Sequence, residues 1–264
     1  MQAVKQTLLA IGTLAIALVM TGCIEATTVI KLNDDGSGTI TIKYLGNTKA
    51  LEQAAVVNSG FQAFDRNRLV AAESKLGRDV ALVRAKQITE GAREGFIAEY
   101  GFVDISQIRI DGLQEVFGMI GTYGKLRPAY RFEYTPGQPN RITVIPTLKS
   151  TPTGLTPSTP PGDPLTDPDA NGQFLRFFDG GYVSIYLQAN GTITSSNATF
   201  PMTNTPNAIT LLYLNTGKML QSPPTNPNSL IGASSIDDMS RIITQGVNGV
   251  RVEDPLKQVV IEFQ

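Results

Sequence analysis

Between Thr27 and Leu45 apolar and polar residues alternate with a period of two, on either side of Asp34-Asp35-Gly36-Ser37-Gly38. Ile40, Ile42 and Tyr44 fall on one face of such a ladder; Thr39, Thr41 and Lys43 fall on the other. Successive side chains of a strand point to opposite faces, so this pattern commits the stretch to two half-buried strands. Asp-Gly and Ser-Gly tolerate positive φ, and the residues between the strands read as a hairpin turn. Asp34 and Asp35 are therefore assigned to turn chemistry rather than to ligation or acid catalysis.

The rest of the chain extends this reading. Asn47 or Thr48 can cap a helix to about Asn58, and Phe61, Phe64, Leu69, Ala72 and Leu76 predict a second helix over 61–76 that stops at Gly77. Strands are expected at 80–87, 96–105, 130–134 and 141–146, the last two joined across Pro136-Gly137. Pro152, Pro157, Pro160, Pro161, Pro164 and Pro168 then lie among Thr, Ser, Gly and Asp. Such a segment cannot pair inside a sheet, so 148–171 reads as a linker or long loop. Beyond it come strands at 182–188, 192–200 and 208–214, and a proline-rich loop at 223–228. A helix from Ser235 to about Gln245 follows, with Asp237 and Asp238 at its dipole-favoured start, and then a strand at 258–263. The expected class is α+β: antiparallel sheet or sheets with two to three helices. The regions are 1–22, 23–147, 148–171 and 172–264, with 23–147 and 172–264 packed as one domain or standing apart.

Cys23 is the sole cysteine. It closes a segment in which Lys5 precedes the apolar run Leu8–Val19, followed by Met20-Thr21-Gly22. A positive start, a short apolar stretch and small residues before a cut site describe a secretory signal. The run is shorter than the roughly 20 apolar residues that a spanning helix needs. A cysteine directly after Thr-Gly is where a bacterial lipoprotein signal peptidase cuts, which makes residues 1–22 a signal peptide and Cys23 the lipidated residue. Each buried acyl methylene contributes about 0.8 kcal/mol, and one chain alone holds weakly, so durable anchoring needs several. Ile24, rather than Asp, follows the cysteine. That favours the outer membrane, with the folded part facing the periplasm.

Several functions are excluded by what the sequence lacks. It has no histidine, which removes Ser-His-Asp and Cys-His nucleophilic schemes and His-ligated zinc. No Ser-x-x-Lys, Gly-x-Ser-x-Gly, Gly-x-Gly-x-x-Gly or phosphate-loop pattern occurs. With 22 basic and 23 acidic residues and no basic stripe, nucleic acid is not an expected partner. One cysteine allows no intrachain disulfide, so packing alone must hold the core.

The Cys23 signal, the Asp-Gly-Ser-Gly hairpin at 34–38, a helical insertion, and Gly95-Phe96 followed by Phe102-Val103-Asp104-Ile105 occur in that order. Gly191–Thr199 and Leu211–Leu220 come after the proline-rich gap. This arrangement resembles a group of bacterial envelope lipoproteins with an α+β domain, distantly similar to the LppM-type lipoprotein domain. The resemblance spans most of the chain beyond Cys23. It rests on turns and core positions, implies an architecture, and carries no catalytic residue.

Two constellations could hold a ligand. Asp167, Asp169 and Asn171 place oxygens at alternate positions before Gly172, a pattern suited to calcium. A full EF-hand loop would have Glu at 178, where Phe178 stands, with Asp163 as a substitute donor; a solvated turn explains the same residues. Phe174, Phe177, Phe178, Tyr182 and Tyr186 could line a lipid or glycan groove, or simply fill a core. Asn190-Gly-Thr and Asn197-Ala-Thr match a glycosylation sequon, but in a bacterial lipoprotein they read as hairpin residues.

The expected function is that of a non-enzymatic structural or binding module of the cell envelope, tethered to the membrane through Cys23. Its partners would be the membrane and envelope proteins or glycan. It would need no cofactor apart from the Ca²⁺ that the Asp167 loop could take. The alternatives are a carboxylate-dependent glycan hydrolase, which needs only two carboxyls about 5–9.5 Å apart, and a periplasmic carrier of lipid or another hydrophobic ligand.

Overall fold

The predicted hairpin is the centre of the larger of two sheets. The computed structural model describes residues 24–49, 62–110, 126–150, 180–215, 217–218, 246 and 248–264. β1 (Ile24–Leu32) and β2 (Gly38–Gly46) pair antiparallel, with Ile30 opposite Ile40. In the turn, Asp35 Oδ1 accepts from the Ser37 amide at 3.0 Å and from its hydroxyl at 2.6 Å, while Gly36 takes φ +84°. β3 (Val80–Glu90) and β4 (Arg93–Phe102) form a second hairpin that joins β2 through β4. β5 (Arg109–Ile110), β6 (Leu126–Thr135) and β7 (Asn140–Ser150) follow. The remaining strands are β8 (Tyr182–Ala189), β9 (Ile193–Ser196), β10 (Ala208–Asn215), β11 (Val250–Val252) and β12 (Val259–Phe263).

The seven-stranded sheet has the order β11-β10-β8-β1-β2-β4-β3, and the five-stranded sheet β5-β6-β7-β12-β9. Among the described residues every strand pairing is antiparallel except β1 with β8. Strands from before and after the proline-rich segment share both sheets. Their apolar faces meet in one buried cluster, in which Ile30, Tyr44 and Phe96 of the larger sheet join Tyr130, Phe132 and Phe263 of the smaller. The Tyr130 hydroxyl crosses this core and donates to the Leu211 carbonyl of β10 at 2.9 Å. Burial pushes the Tyr130 phenol far up.

Among the described residues the chain is more strand-dominated than the expected α+β class. In place of one helix over 61–76 there are two short ones, α1 (Arg66–Ala71) and α2 (Glu73–Leu76). Asp65 caps the Asn67 and Arg68 amides, which fixes the start of α1 five residues beyond Phe61. The stop at Gly77 is as expected; its amide donates back to Glu73. Leu69 and Leu76 are buried, and the Tyr100 hydroxyl of β4 donates to the Leu69 carbonyl at 2.9 Å, tying this helical stretch to the sheet. Of the helix expected from Asn47, Thr48 and Lys49 are helical and residues 50–58 lie outside the described residues. The helix at 235–245 and nearly all of the 148–171 segment also lie outside them.

Strand ends moved too. β4 starts at Arg93 rather than Phe96 and stops at Phe102, because Asp104 caps a 3-10 turn over Ile105–Gln107. β9 ends at Ser196, where the Asn197 side chain takes over edge pairing: its Oδ1 accepts from Val260 N at 2.7 Å and its Nδ2 donates to Gln258 O at 3.1 Å.

Candidate functional site

Where β1 begins, the larger sheet carries a cluster of ionised side chains on the face turned away from the core. Glu25 sits diagonally across from Lys43, since Glu25 pairs with Leu45 and Thr27 with Lys43, and diagonal neighbours on one face are within reach of long side chains. Lys43 Nζ lies 2.6 Å from Glu25 Oε1 and 3.7 Å from Glu90 Oε1. Arg93, just after the β3–β4 turn, places one guanidinium nitrogen 3.5 Å from Glu25 and another 3.1 Å from Glu90. Burial pushes the Glu25 carboxyl up, but hydrogen bonds from Lys43 and Tyr182 and the charges of Lys43 and Arg93 outweigh it and hold the group below its usual value. Glu25 is therefore an ionised anchor and not a proton donor near neutral pH.

Tyr182 opens β8 directly opposite Glu25. Burial and the hydrogen bond to Glu25 push its phenol up to about 12. Its ring stacks on Tyr213 of β10, centroids 6.4 Å apart. Tyr182 thus lies on this outer face, and Tyr186 follows on the same face four residues along β8. Phe174, Phe177 and Phe178 lie outside the described residues, so the expected aromatic group is represented here by its two tyrosines.

A second carboxylate behaves in the opposite way. Glu253, 3% exposed, follows β11 of the larger sheet and accepts from the Thr199 and Phe200 amides beyond β9 of the smaller, at 2.9 and 3.1 Å. Desolvation outweighs these hydrogen bonds, so its pKa is raised. Its geometry is that of a clamp: its oxygens are spent on backbone amides that join the two sheets.

The opposite end of the larger sheet holds a polar cleft of about 200 Å³, with Lys31, Asn33, Thr39, Gln188, Asn190 and Asn207 among its lining residues. Asn207 is already engaged there, its side chain donating to the Ala189 carbonyl at 2.7 Å. The cleft is shallow, polar and small against the several hundred Å³ of an ordinary ligand pocket.

Cys23 and the proposed calcium donors Asp167, Asp169 and Asn171 lie outside the described residues, as do Asp163, Asp237 and Asp238. Among the described residues no three Asp, Glu or Cys side chains gather as metal ligands. Asp34 and Asp35 are turn residues, as their spacing predicts; the Tyr134 hydroxyl of β6 donates to the Asp34 carbonyl and to Asn140. The Glu25–Lys43–Arg93–Glu90 cluster and the Glu253 clamp have no local sequence signal. Arg93 is 68 residues from Glu25, and Glu253 is 54 from Thr199.

No protein-family model matches this chain, and no curated protein matches it. Among solved structures, it is similar to the folded domain of the Mycobacterium tuberculosis LppM protein, with 12% identity, a TM-score of 0.34, and coverage of 75% of this chain and 85% of that one. This is a distant structural relationship, too loose to transfer function.

Proposed function

We propose that this chain is a bacterial lipoprotein whose folded part serves as a structural or binding module of the cell envelope, held at a membrane by lipid on Cys23. The observation that carries the reading is the order of residues 1–24: a basic start, a short apolar run, Met-Thr-Gly, then Cys23, with β1 starting at the next residue. The outer membrane, with the domain on its periplasmic side, is the favoured site because Ile24 and not Asp follows the cysteine.

A module that binds rather than catalyses is supported by how three of the described carboxylates are spent. Glu25 and Glu90 are tied to Lys43 and Arg93, and Glu253 to backbone amides. A carrier would need an apolar chamber, whereas the apolar faces of both sheets close on one another in a single cluster. Membrane fractionation with mass measurement of the N-terminus tests the tether. The wild type should sediment with membranes carrying acylated Cys23, and Cys23→Ser should be released or left unprocessed while its fold survives. A mature wild-type protein with Met1 intact would overturn the reading.

A further inference from the structure

The tether has no slack. β1 starts at Ile24, one peptide unit from Cys23, so their Cα atoms are about 3.8 Å apart. Ile24 is 3% exposed and pairs with Gly46 of β2, and Glu25 pairs with both Leu45 and Tyr182. The start of β1 is thus held on both sides, and the salt bridges of Glu25 add to that hold. A lipid attached at Cys23 cannot let the domain drift from the bilayer without peeling these pairs apart.

We infer, on the premise that Cys23 is lipidated, that the rim of the larger sheet around the start of β1 rests in the phospholipid headgroup layer, with the Asn33–Gly38 turn held away from it. The rim is formed by the ends of β2 and β10, the starts of β1 and β8, and the β3–β4 turn. Its chemistry suits that layer. Tyr182 and Tyr213 stack there, and tyrosine, apolar in body and polar at its tip, settles at membrane–water interfaces. The exposed Lys49, just beyond the end of β2, provides a donor for lipid phosphates. The Glu25 and Glu90 charges there are already compensated by Lys43 and Arg93. The far end presents Asp34, Asp35, Asp79 and Asp104 against Lys31 and Arg78, a negative excess that an anionic headgroup layer repels. β1 has 9 residues, so the two ends are separated by about 30 Å.

Lipidation occupies the Cys23 thiol, so a single engineered cysteine can carry a fluorophore. The experiment uses full-length lipidated protein in phosphatidylethanolamine–phosphatidylglycerol vesicles that contain a nitroxide-headgroup lipid. One probe is placed at Ala92→Cys in the exposed β3–β4 turn. The other is placed at Val103→Cys, whose side chain is 68% exposed just past the far end of β4. The Ala92 probe should lose most of its emission and the Val103 probe little. Equal quenching, or stronger quenching at Val103, on protein that floats with the vesicles overturns the orientation and leaves the tether standing. Protein that fails to float, or whose Cys23 itself takes the fluorophore, overturns the tether and the orientation together. Circular dichroism of both labelled variants against wild type establishes that each probe reports on the folded domain.

Discussion

At the start of β1 the larger sheet is braced by charge, with Glu25 and Glu90 held between Lys43 and Arg93. At its other end, where β1 turns into β2, the bracing is done by neutral and turn-local hydrogen bonds and by aromatic packing. Asn33 N donates to Ser37 O at 2.8 Å, Ile105 N donates to Gly36 O at 2.9 Å, and the Tyr134 ring lies over Gly36. An ion-pair brace weakens with salt and with protonation; a backbone brace does not. The first kind suits an end pressed against a charged, hydrated layer. The second suits a junction that must keep two sheets in register under any conditions, because Tyr134 belongs to the smaller sheet.

What the two ends share sets the largest expected effect. A Cβ on Gly38 would sit 1.9 Å from the Lys31 carbonyl oxygen, and one on Gly95 would sit 1.8 Å from that of Tyr44. Gly38→Ala and Gly95→Ala should each cost about 3 kcal/mol, the upper part of the usual range for overpacking, with no salt dependence. Denaturant unfolding at low and high salt measures both. A loss below about 0.5 kcal/mol in either would mean that the strands can part there without cost.

Glu25→Gln separates the ends. It leaves Lys43 and Arg93 with Glu90 alone and should cost about 1.5 kcal/mol at neutral pH and low salt, shrinking in high salt. Because the folded-state pKa of Glu25 lies below 4.5, its contribution is present above that pH and is lost as the pH falls through the folded value. Wild type and variant should therefore converge in acid. A gap that persists there would assign the loss to packing rather than charge.

Glu253→Gln should show the opposite sign. Its raised pKa makes the clamp's contribution complete below pH 4.5, and lost as the pH rises through the folded value. Relative to the glutamine variant, the wild type should lose stability as the pH rises above 4.5 through the folded value. Parallel stability–pH curves for the two proteins would show that the carboxyl titrates in the fold as it does in the unfolded chain.

These contrasts also mark how far the sequence could be read. The β1–β2 hairpin was legible because period-two alternation and Asp-Gly chemistry act over a few residues. So were the cores of β3, β4, β6, β7, β8, β10 and β12. β5 and β11, two and three residues long, are too short to show a period. The helix over 61–76 was overdrawn because Phe61 and Phe64 fit helical spacing while Asp65 supplied a later cap. The pairing of β1 with β8, in which Glu25 faces Tyr182, joins segments on either side of the proline-rich stretch. No local pattern encodes it, and it builds one side of the charged end. Arg93 and Glu253 are ordinary charged residues in sequence; only the sheet order brings each to its partners.

The smallest effect tests the neutral end most cleanly. Tyr134→Phe keeps the ring over Gly36 and removes only the hydroxyl that donates to Asp34 O and Asn140 Oδ1. Both acceptors are within reach of water, so the loss should be about 0.5 kcal/mol, the low end for a hydrogen bond. Neither partner is a charged group, so the difference should be the same at low and high salt and in acid as at neutral pH. Burial, helped by the charges of Asp34 and Asp35, raises the Tyr134 phenol, which keeps it protonated and donating throughout that range. A salt-dependent loss would mean that the aspartate side chains, rather than the turn's backbone, receive what Tyr134 gives. The two ends would then be braced by one kind of force and not two.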